Sequence, residues 1–161
     1  MSKTASILEL SHMEVGLAAI ADAFSGTVYS DVFNMKDHNK IRFLVHWGVG
    51  ATGTLTLTAQ ACDDTTPSNR AAVPFKYRVT VGAAEPGAIV QATSTGFTTT
   101  AGSAQIIEVE VTAADIAALG LGYQYIQLKS VEVVDSPLLG GILAELLEPR
   151  HAGATQASVV T

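Results

Sequence analysis

The segment Gly48-Val-Gly50-Ala-Thr-Gly53 has the spacing G-x-G-x-x-G, which in dinucleotide-binding proteins forms the loop that holds a pyrophosphate. In those proteins the loop opens a helix, whose N-terminus binds the phosphates. Here the loop leads into residues 53–62, in which apolar and polar residues alternate as in a strand. A glycine-rich hairpin loop between two antiparallel strands explains the same residues, so we expect no nucleotide site.

Two groups of carboxylates could also do chemistry. Glu108 and Glu110 are two apart and therefore share one strand face, but a glycosidase normally takes its two carboxyl groups from different parts of the fold, across a cleft. A solvated face, or pairing with Lys and Arg on a neighbouring strand, is the favoured interpretation. Asp63 and Asp64 lie in an oxygen-rich turn that lacks the ligand spacing of a calcium loop, which favours a solvated turn.

The remaining candidates are Arg42, His46 and Cys62. Arg42 and His46 share a face of one predicted strand, but no nucleophile setting accompanies them, so a packed or interface pair is favoured. Cys62 is the one cysteine, which excludes an intrachain disulfide and indicates a small packing residue. The four histidines lack the spacing of a zinc site. We therefore expect a protein that is not an enzyme and has no catalytic residue, metal or cofactor.

The composition limits the possible partners. The chain has 161 residues with 9 Lys and Arg against 15 Asp and Glu, so its net charge is 9 − 15 = −6. Only 15% of the residues are charged and 48% are hydrophobic, which argues against a disordered chain and against a stand-alone nucleic-acid binder. The early apolar stretch is too short and interrupted for a membrane span or a signal peptide, so we expect a protein made in the cytoplasm. The low charge fraction indicates a surface partly covered by other chains.

The elements that must position these residues are predicted mainly as strands, because apolar residues recur with a period of two. Gly140 and Gly141 favour a final central strand over a helix, which they would destabilise by about 2 kcal/mol. Thr112 and Asp115 predict a capping box for one short helix. The predicted fold class is all-β: a single antiparallel β-sandwich, jelly-roll-like, with one short helix and extended N- and C-terminal arms. The segments predicted as strands are 28–33, 40–47, 53–62, 75–81, 107–111, 123–134 and 138–147.

The predicted domain organisation is an N-terminal arm over residues 1–26, a β-sandwich core over residues 27–149 and a C-terminal tail over residues 150–161. Apolar residues in an arm need a partner surface, on the same domain or on a neighbouring chain. The candidate partner-interface residues are Ile7, Leu8, Leu10, Met13, Val15, Leu17, Val159 and Val160.

The order of features resembles that of small tailed-bacteriophage virion proteins, the head decoration (cement) or minor capsid proteins. The similarity covers about residues 27–151. It is carried by residues 27–37, by Ile41-Arg-Phe-Leu-Val-His-Trp-Gly48, by the strand and acidic turn of residues 53–64, by Ile106-Ile-Glu-Val-Glu-Val before the short helix, by Tyr123-Gln-Tyr-Ile-Gln-Leu128 and by Leu146-Leu-Glu-Pro-Arg-His151. The resemblance implies a β-sandwich subunit on the outer surface of a capsid, commonly a trimer. Its partners would be the major capsid protein and copies of itself, with no nucleic acid and no membrane.

Three functions remain open on the sequence. The first is a non-enzymatic decoration protein that stabilises a capsid shell. The second is a head–tail connector, tail-tube or tail-terminator subunit, which would be present in far fewer copies per particle. The third is a β-sandwich module for glycans or a receptor, which predicts an exposed aromatic platform.

Overall fold

The computed structural model describes residues 11–48 and 52–150. This part of the chain forms twelve strands and one short helix, α1 (Ala113–Ala117). The strands are β1 (Ser11–Ile20), β2 (Thr27–Tyr29), β3 (Phe33–Asn34), β4 (His38–Trp47), β5 (Thr54–Cys62), β6 (Arg70–Val73), β7 (Phe75–Val81), β8 (Val90–Ala92), β9 (Phe97–Thr98), β10 (Gln105–Thr112), β11 (Tyr125–Val134) and β12 (Gly140–Pro149). No helix of the described ranges is long and apolar enough to cross a membrane.

The strands form two sheets that pack face to face. Sheet A has the order β1-β12-β4-β10-β7-β8, and sheet B has the order β2-β11-β5-β6, with β3 also paired to β11 and β9 to β5. The strand pairs are antiparallel. The all-β sandwich with one short helix is therefore confirmed.

The connections follow a jelly-roll pattern. The outermost strands β1 and β12 pair in sheet A, the next ones, β2 and β11, pair in sheet B, and β4 and β10 pair again in sheet A. The series continues with β5–β9 in sheet B and β7–β8 in sheet A, so these nested pairs describe one antiparallel ribbon that winds alternately through the two sheets and ends at the β7–β8 pair. The first and last strands of the described chain are thus neighbours.

The core lies between the sheets and is built by the predicted alternation. In β4, Ile41, Phe43 and Val45 are fully buried, whereas the residues between them are half-buried on the other face. β5 and β10 repeat this pattern. Phe33 of sheet B meets Phe43 edge to face with ring centroids 5.7 Å apart, which joins the two layers.

The capping box predicted for the helix is present. The Thr112 hydroxyl accepts a hydrogen bond from the Asp115 amide at 3.1 Å, and the Asp115 carboxylate accepts one from the Thr112 amide at 2.9 Å. These two bonds satisfy backbone donors that the helix itself leaves free. Ile116 is buried and fixes the helix against the sandwich.

The predicted N-terminal arm needs correction where the structure describes it. Residues 11–20 form β1, which pairs along β12, and Ala23 and Phe24 are buried in the core. The fold therefore includes residues that were expected to lie outside it. The strand pattern is hidden in the sequence because β1 is irregular at two places, between Val15 and Leu17 and between Leu17 and Ile20.

The predicted hairpin between the fourth and fifth strands is wrong, because β4 belongs to sheet A and β5 to sheet B. The connection passes from one layer to the other. At its end, a Cβ on Gly53 would lie 2.9 Å from the Ser136 carbonyl oxygen, so close packing is one reason for a glycine there. The central position predicted for the last strand is confirmed, since β12 lies between β1 and β4.

Candidate functional site: the outer face of sheet A

The surface of sheet A that points away from the core combines charged and apolar side chains, and we call it the contact face. Register places its members in rows that run across the strands. The contact face consists of Met13 and Val15 of β1; Leu143, Glu145 and Leu147 of β12; Lys40, Arg42, Leu44 and His46 of β4; Ile106, Glu108 and Glu110 of β10; Lys76 and Arg78 of β7; and Ile89 and Gln91 at the β8 edge.

An ion-pair network occupies the centre of the contact face. The Arg42 guanidinium donates to Glu145 on one side, with Nε to Oε2 at 3.0 Å, and to Glu108 on the other, with Nη1 to Oε2 at 3.0 Å. Arg78 also donates to Glu108, from Nε at 2.6 Å and from Nη2 at 2.9 Å. Two guanidinium groups and two carboxylates therefore connect β12, β4, β10 and β7.

Glu108 and Arg78 hold each other in the ionised form. Hydrogen bonds from Arg78 lower the pKa of Glu108, and the charges of Arg78 and Arg42 act in the same direction against the effect of burial. In return, Glu108 raises the pKa of Arg78. The charges at the centre of the face thus compensate one another at neutral pH.

Apolar side chains surround this network. Met13 and Val15 are exposed on β1, at 53% and 56% of their surface, and Ile106 is exposed at 43% on β10. A cavity of about 340 Å³ opens beside the network, with Ile89 and Leu147 among its lining residues. The contact face therefore combines this paired network with exposed apolar side chains and with two charged residues, Lys76 and Glu110, for which the described residues supply no ion pair.

The structure separates the predicted interface residues into three groups. Met13 and Val15 lie exposed on the contact face, and their role in partner contacts stays a prediction. Leu17, by contrast, is half-buried against the core of its own chain, so it was assigned wrongly to a partner interface. Ile7, Leu8, Leu10, Val159 and Val160 lie outside the described residues.

The other sequence candidates are placed as follows. Glu108 pairs with arginines on two neighbouring strands, as the favoured interpretation predicted. Asp63 accepts hydrogen bonds from Ser68 and Asn69, which lower its pKa and close the turn. Cys62 is fully buried, and burial raises the pKa of its thiol to about 12, so it is a protonated packing residue at neutral pH. Among the described residues, no three His, Cys, Asp or Glu side chains are grouped so that they could hold a metal ion.

A second polar cluster lies where β1 passes over the β2–β3 connection, and the sequence interpretation missed it. The Asp31 amide donates to the Gly16 carbonyl at 2.7 Å, and His12 Nε2 lies 2.7 Å from Glu14 Oε1. Burial and the nearby charge of Glu14 raise the pKa of Asp31. His38 is 95% buried, and this burial lowers its pKa.

A glycan platform needs an exposed aromatic ring, and the candidate among the described residues lies on sheet B. Tyr29 on β2 is 40% exposed. The Arg70 guanidinium carbon lies 5.1 Å from the centre of its ring, in cation–π contact. The guanidinium thus occupies one face of this ring.

Fold and surface together define a jelly-roll-like β-sandwich with a face of mixed charged and apolar side chains on one sheet. No family model matches the chain, and no curated protein matches it in sequence. Among solved structures it is similar to the crystal structure of SPBc2 prophage-derived protein YomS, with a TM-score of 0.47 and 9% identity over 86% of this chain and 93% of that one. The function is therefore inferred from the surface chemistry of this chain.

Proposed function

We propose that this protein is a non-enzymatic virion structural protein that binds and stabilises a phage capsid shell, as a decoration protein does. The observation that carries the proposal is the contact face, where exposed apolar side chains lie beside a central network of charges, Arg42, Arg78, Glu108 and Glu145, that are paired within the chain. The resemblance of residues 27–151 to small phage virion proteins suggests the class of partner. The site of action would be the outer surface of the capsid.

A face of this kind suits a protein contact for a physical reason. The cores of protein interfaces are depleted in free charges, because each unpaired charge loses its hydration when it is covered. On the contact face the carboxylates of Glu108 and Glu145 already accept hydrogen bonds from arginine. Covering them costs less than covering isolated charges, and the apolar border around them gains from burial.

The mechanism would be stabilisation by mass action. A protein that binds only the assembled shell stabilises that shell. The stabilisation free energy grows with the logarithm of the ratio of free protein concentration to the dissociation constant. Many neutral contacts of modest strength would suffice for this effect. The net charge of −6 suits an outer position better than contact with packaged DNA.

The test mixes the full chain with expanded shells assembled without it and measures co-sedimentation and the melting temperature of the shells. We expect saturable binding over the shell surface and a higher shell melting temperature. A variant that lacks residues 1–10, and with them Ile7, Leu8 and Leu10, should bind with lower occupancy while retaining β1. Leu121→Ser, at a 53% exposed residue after α1, is the matched control and should bind as the full chain does.

Other outcomes distinguish the alternative functions. Occupancy limited to a single ring per particle, seen by mass spectrometry of virions, would replace the decoration role with a connector or tail role. Specific signals on a glycan array with the isolated chain would favour a recognition module. Absence of the chain from purified virions would overturn the proposal.

A further inference from the structure

One row of the contact face alternates in charge across four neighbouring strands. Register places Glu145 of β12 beside Arg42 of β4, Arg42 beside Glu110 of β10, and Glu110 beside Lys76 of β7. We call these four residues the charge row, and their signs run minus, plus, minus, plus. Among the described residues, Lys76 and Glu110 take part in no ion pair, so both remain available to an external partner.

This order of signs is complementary to itself. A two-fold axis that runs parallel to the strands, between β4 and β10, lays a second copy on the face with the strand order reversed. Lys76 then faces Glu145 of the second copy, and Glu110 faces Arg42 of the second copy. A two-fold axis along the charge row, perpendicular to the strands, would instead place each strand over the same strand of the second copy. Each charge of the row would then face a like charge, which is unfavourable.

The apolar border fits the same axis. Ile89, the residue before β8, is 68% exposed and lies level with Arg78, because the next residue, Val90, is in register with Tyr77. The row of Arg78 continues across the sheet to Val15 of β1. Reversal of the strand order therefore brings Ile89 of one copy over Val15 of the other.

We propose that a second copy of this chain docks on the contact face, forming a two-fold dimer in which two A sheets pack face to face. Each contact occurs twice in such an isologous interface. Sheets packed in this way lie about 10 Å apart, which leaves room for the long side chains of the charge row. The inference goes beyond the proposed function and does not depend on shell binding; a second copy and a shell would compete for the same contact face. It differs from the trimer that the family resemblance implies.

The decisive variant is K76E/E110K, measured by sedimentation equilibrium of the full chain at low ionic strength. The two substitutions preserve the net charge and leave opposite charges at the Lys76–Glu110 pair within one chain. Across the two-fold axis, however, they place a carboxylate opposite Glu145 and an ammonium opposite Arg42. We expect a dimer of the unaltered chain and at least a tenfold weaker association of this variant.

Two further variants keep the test decisive. K36E/D135K makes the same two charge reversals at exposed residues outside the contact face and should associate like the unaltered chain. Ile89→Asp changes an exposed residue, preserves the ion-pair network and should also weaken association at least tenfold. Circular dichroism establishes that each variant is folded; if K76E/E110K is not, Ile89→Asp decides.

A monomer or a trimer of the unaltered chain would overturn the proposal, as would equal dissociation constants for the unaltered chain and the folded K76E/E110K variant. Shell co-sedimentation is measured separately. A dimer that fails to bind shells would leave this inference standing while overturning the proposed function. Shell binding by a chain that is monomeric in free solution would support the proposed function and overturn this inference.

Discussion

Glu108 joins the positive charges of two strands, because its carboxylate accepts hydrogen bonds from both Arg42 and Arg78. Its side chain is 15% exposed, whereas those of the two arginines are about a third exposed. The carboxylate is thus the most enclosed member of this triplet. Loss of this carboxylate leaves two positively charged guanidinium groups close together with one negative charge fewer to balance them.

Glu108→Gln should lower the free energy of unfolding at pH 7 by about 1–3 kcal/mol, the scale of hydrogen bonds to charged groups. Urea denaturation followed by circular dichroism measures this change. Glu85→Gln, at an exposed glutamate outside the contact face, is the control, and we expect it to stay within about 0.5 kcal/mol of the unaltered chain. Equal effects of the two substitutions would show that the network does not stabilise the fold.

His38 predicts a pH dependence of stability. Burial lowers its pKa below the ordinary 6.5, against the charges of Asp37 and Glu14 and in the same direction as that of His12. The unfolded chain therefore takes up a proton at a higher pH than the folded chain. The contribution of neutral His38 to the free energy of unfolding is fully present above pH 6.5. It is lost as the pH falls from 6.5 through the lowered pKa of the folded chain.

His38→Gln should therefore reduce the loss of stability between pH 7.5 and pH values below 6.5, whatever its effect at pH 7.5. Urea denaturation across this range gives the slope for the variant and for the unaltered chain. His46→Gln, at a half-buried histidine of the same strand, is the control. An unchanged slope in His38→Gln would assign the pH dependence to other groups.

At the scale of elements, the glycines of β12 show how closely its neighbours approach. A Cβ on Gly140 would lie 2.1 Å from the His46 carbonyl oxygen of β4, and one on Gly141 would lie 2.7 Å from the Leu17 carbonyl oxygen of β1. Backbone atoms on both sides leave no room for a side chain. These two glycines therefore permit the central position of β12.

Gly140→Ala should destabilise the fold by about 1–3 kcal/mol, the usual cost of overpacking, because β4 must move to admit the methyl group. Gly48→Ala is the matched control, since the nearest atom to its Cβ, the Leu139 carbonyl oxygen, is at 3.9 Å. Thermal unfolding compares the two variants. Similar melting temperatures would contradict this account of the strand contacts.

The elements could be predicted from the sequence where one face of a strand is buried. β4, β5, β7 and β10 alternate clearly, and the capping box of α1 is a local signal. β1 was missed because its irregularities break the period of two. The sheet to which each strand belongs depends on contacts distant in sequence, so the β4–β5 connection was assigned as a hairpin.

The contact face could be predicted only in part, because it too depends on contacts between strands that are distant in sequence. Met13 and Val15 were found because they are apolar residues without a partner in the sequence pattern. Glu145 was missed because it lies among leucines, and nothing local indicates that Arg42 stands beside it. The alternation of the charge row becomes visible only when the order of the strands is known.

At the scale of the whole molecule, β1 closes one end of sheet A, and residues after it fill the core. Phe24 is 1% exposed and packs edge to face on Trp47 with ring centroids 6.2 Å apart. Burial of such a side chain stabilises a fold by about 1.5–3 kcal/mol. Removal of β1 together with Phe24 therefore removes a large share of a typical net stability.

A chain that starts at residue 27 should fail to fold cooperatively, whereas a chain that starts at residue 11 should retain a single cooperative transition. Circular dichroism and thermal unfolding of the two truncations measure this difference. A stable, cooperative fold of the shorter chain would restore the predicted boundary between an arm and the core.

The pairing of β1 with β12 has one more consequence, for engineering. Ser11 is in register with Leu147, so the two ends of the described chain leave the sandwich at the same corner. A short linker could join them, and new ends could be opened at the exposed turn after Gly82. Such a circular permutant would have residues 11 and 150 in the interior of its chain, with the strand pairs of the described residues unchanged.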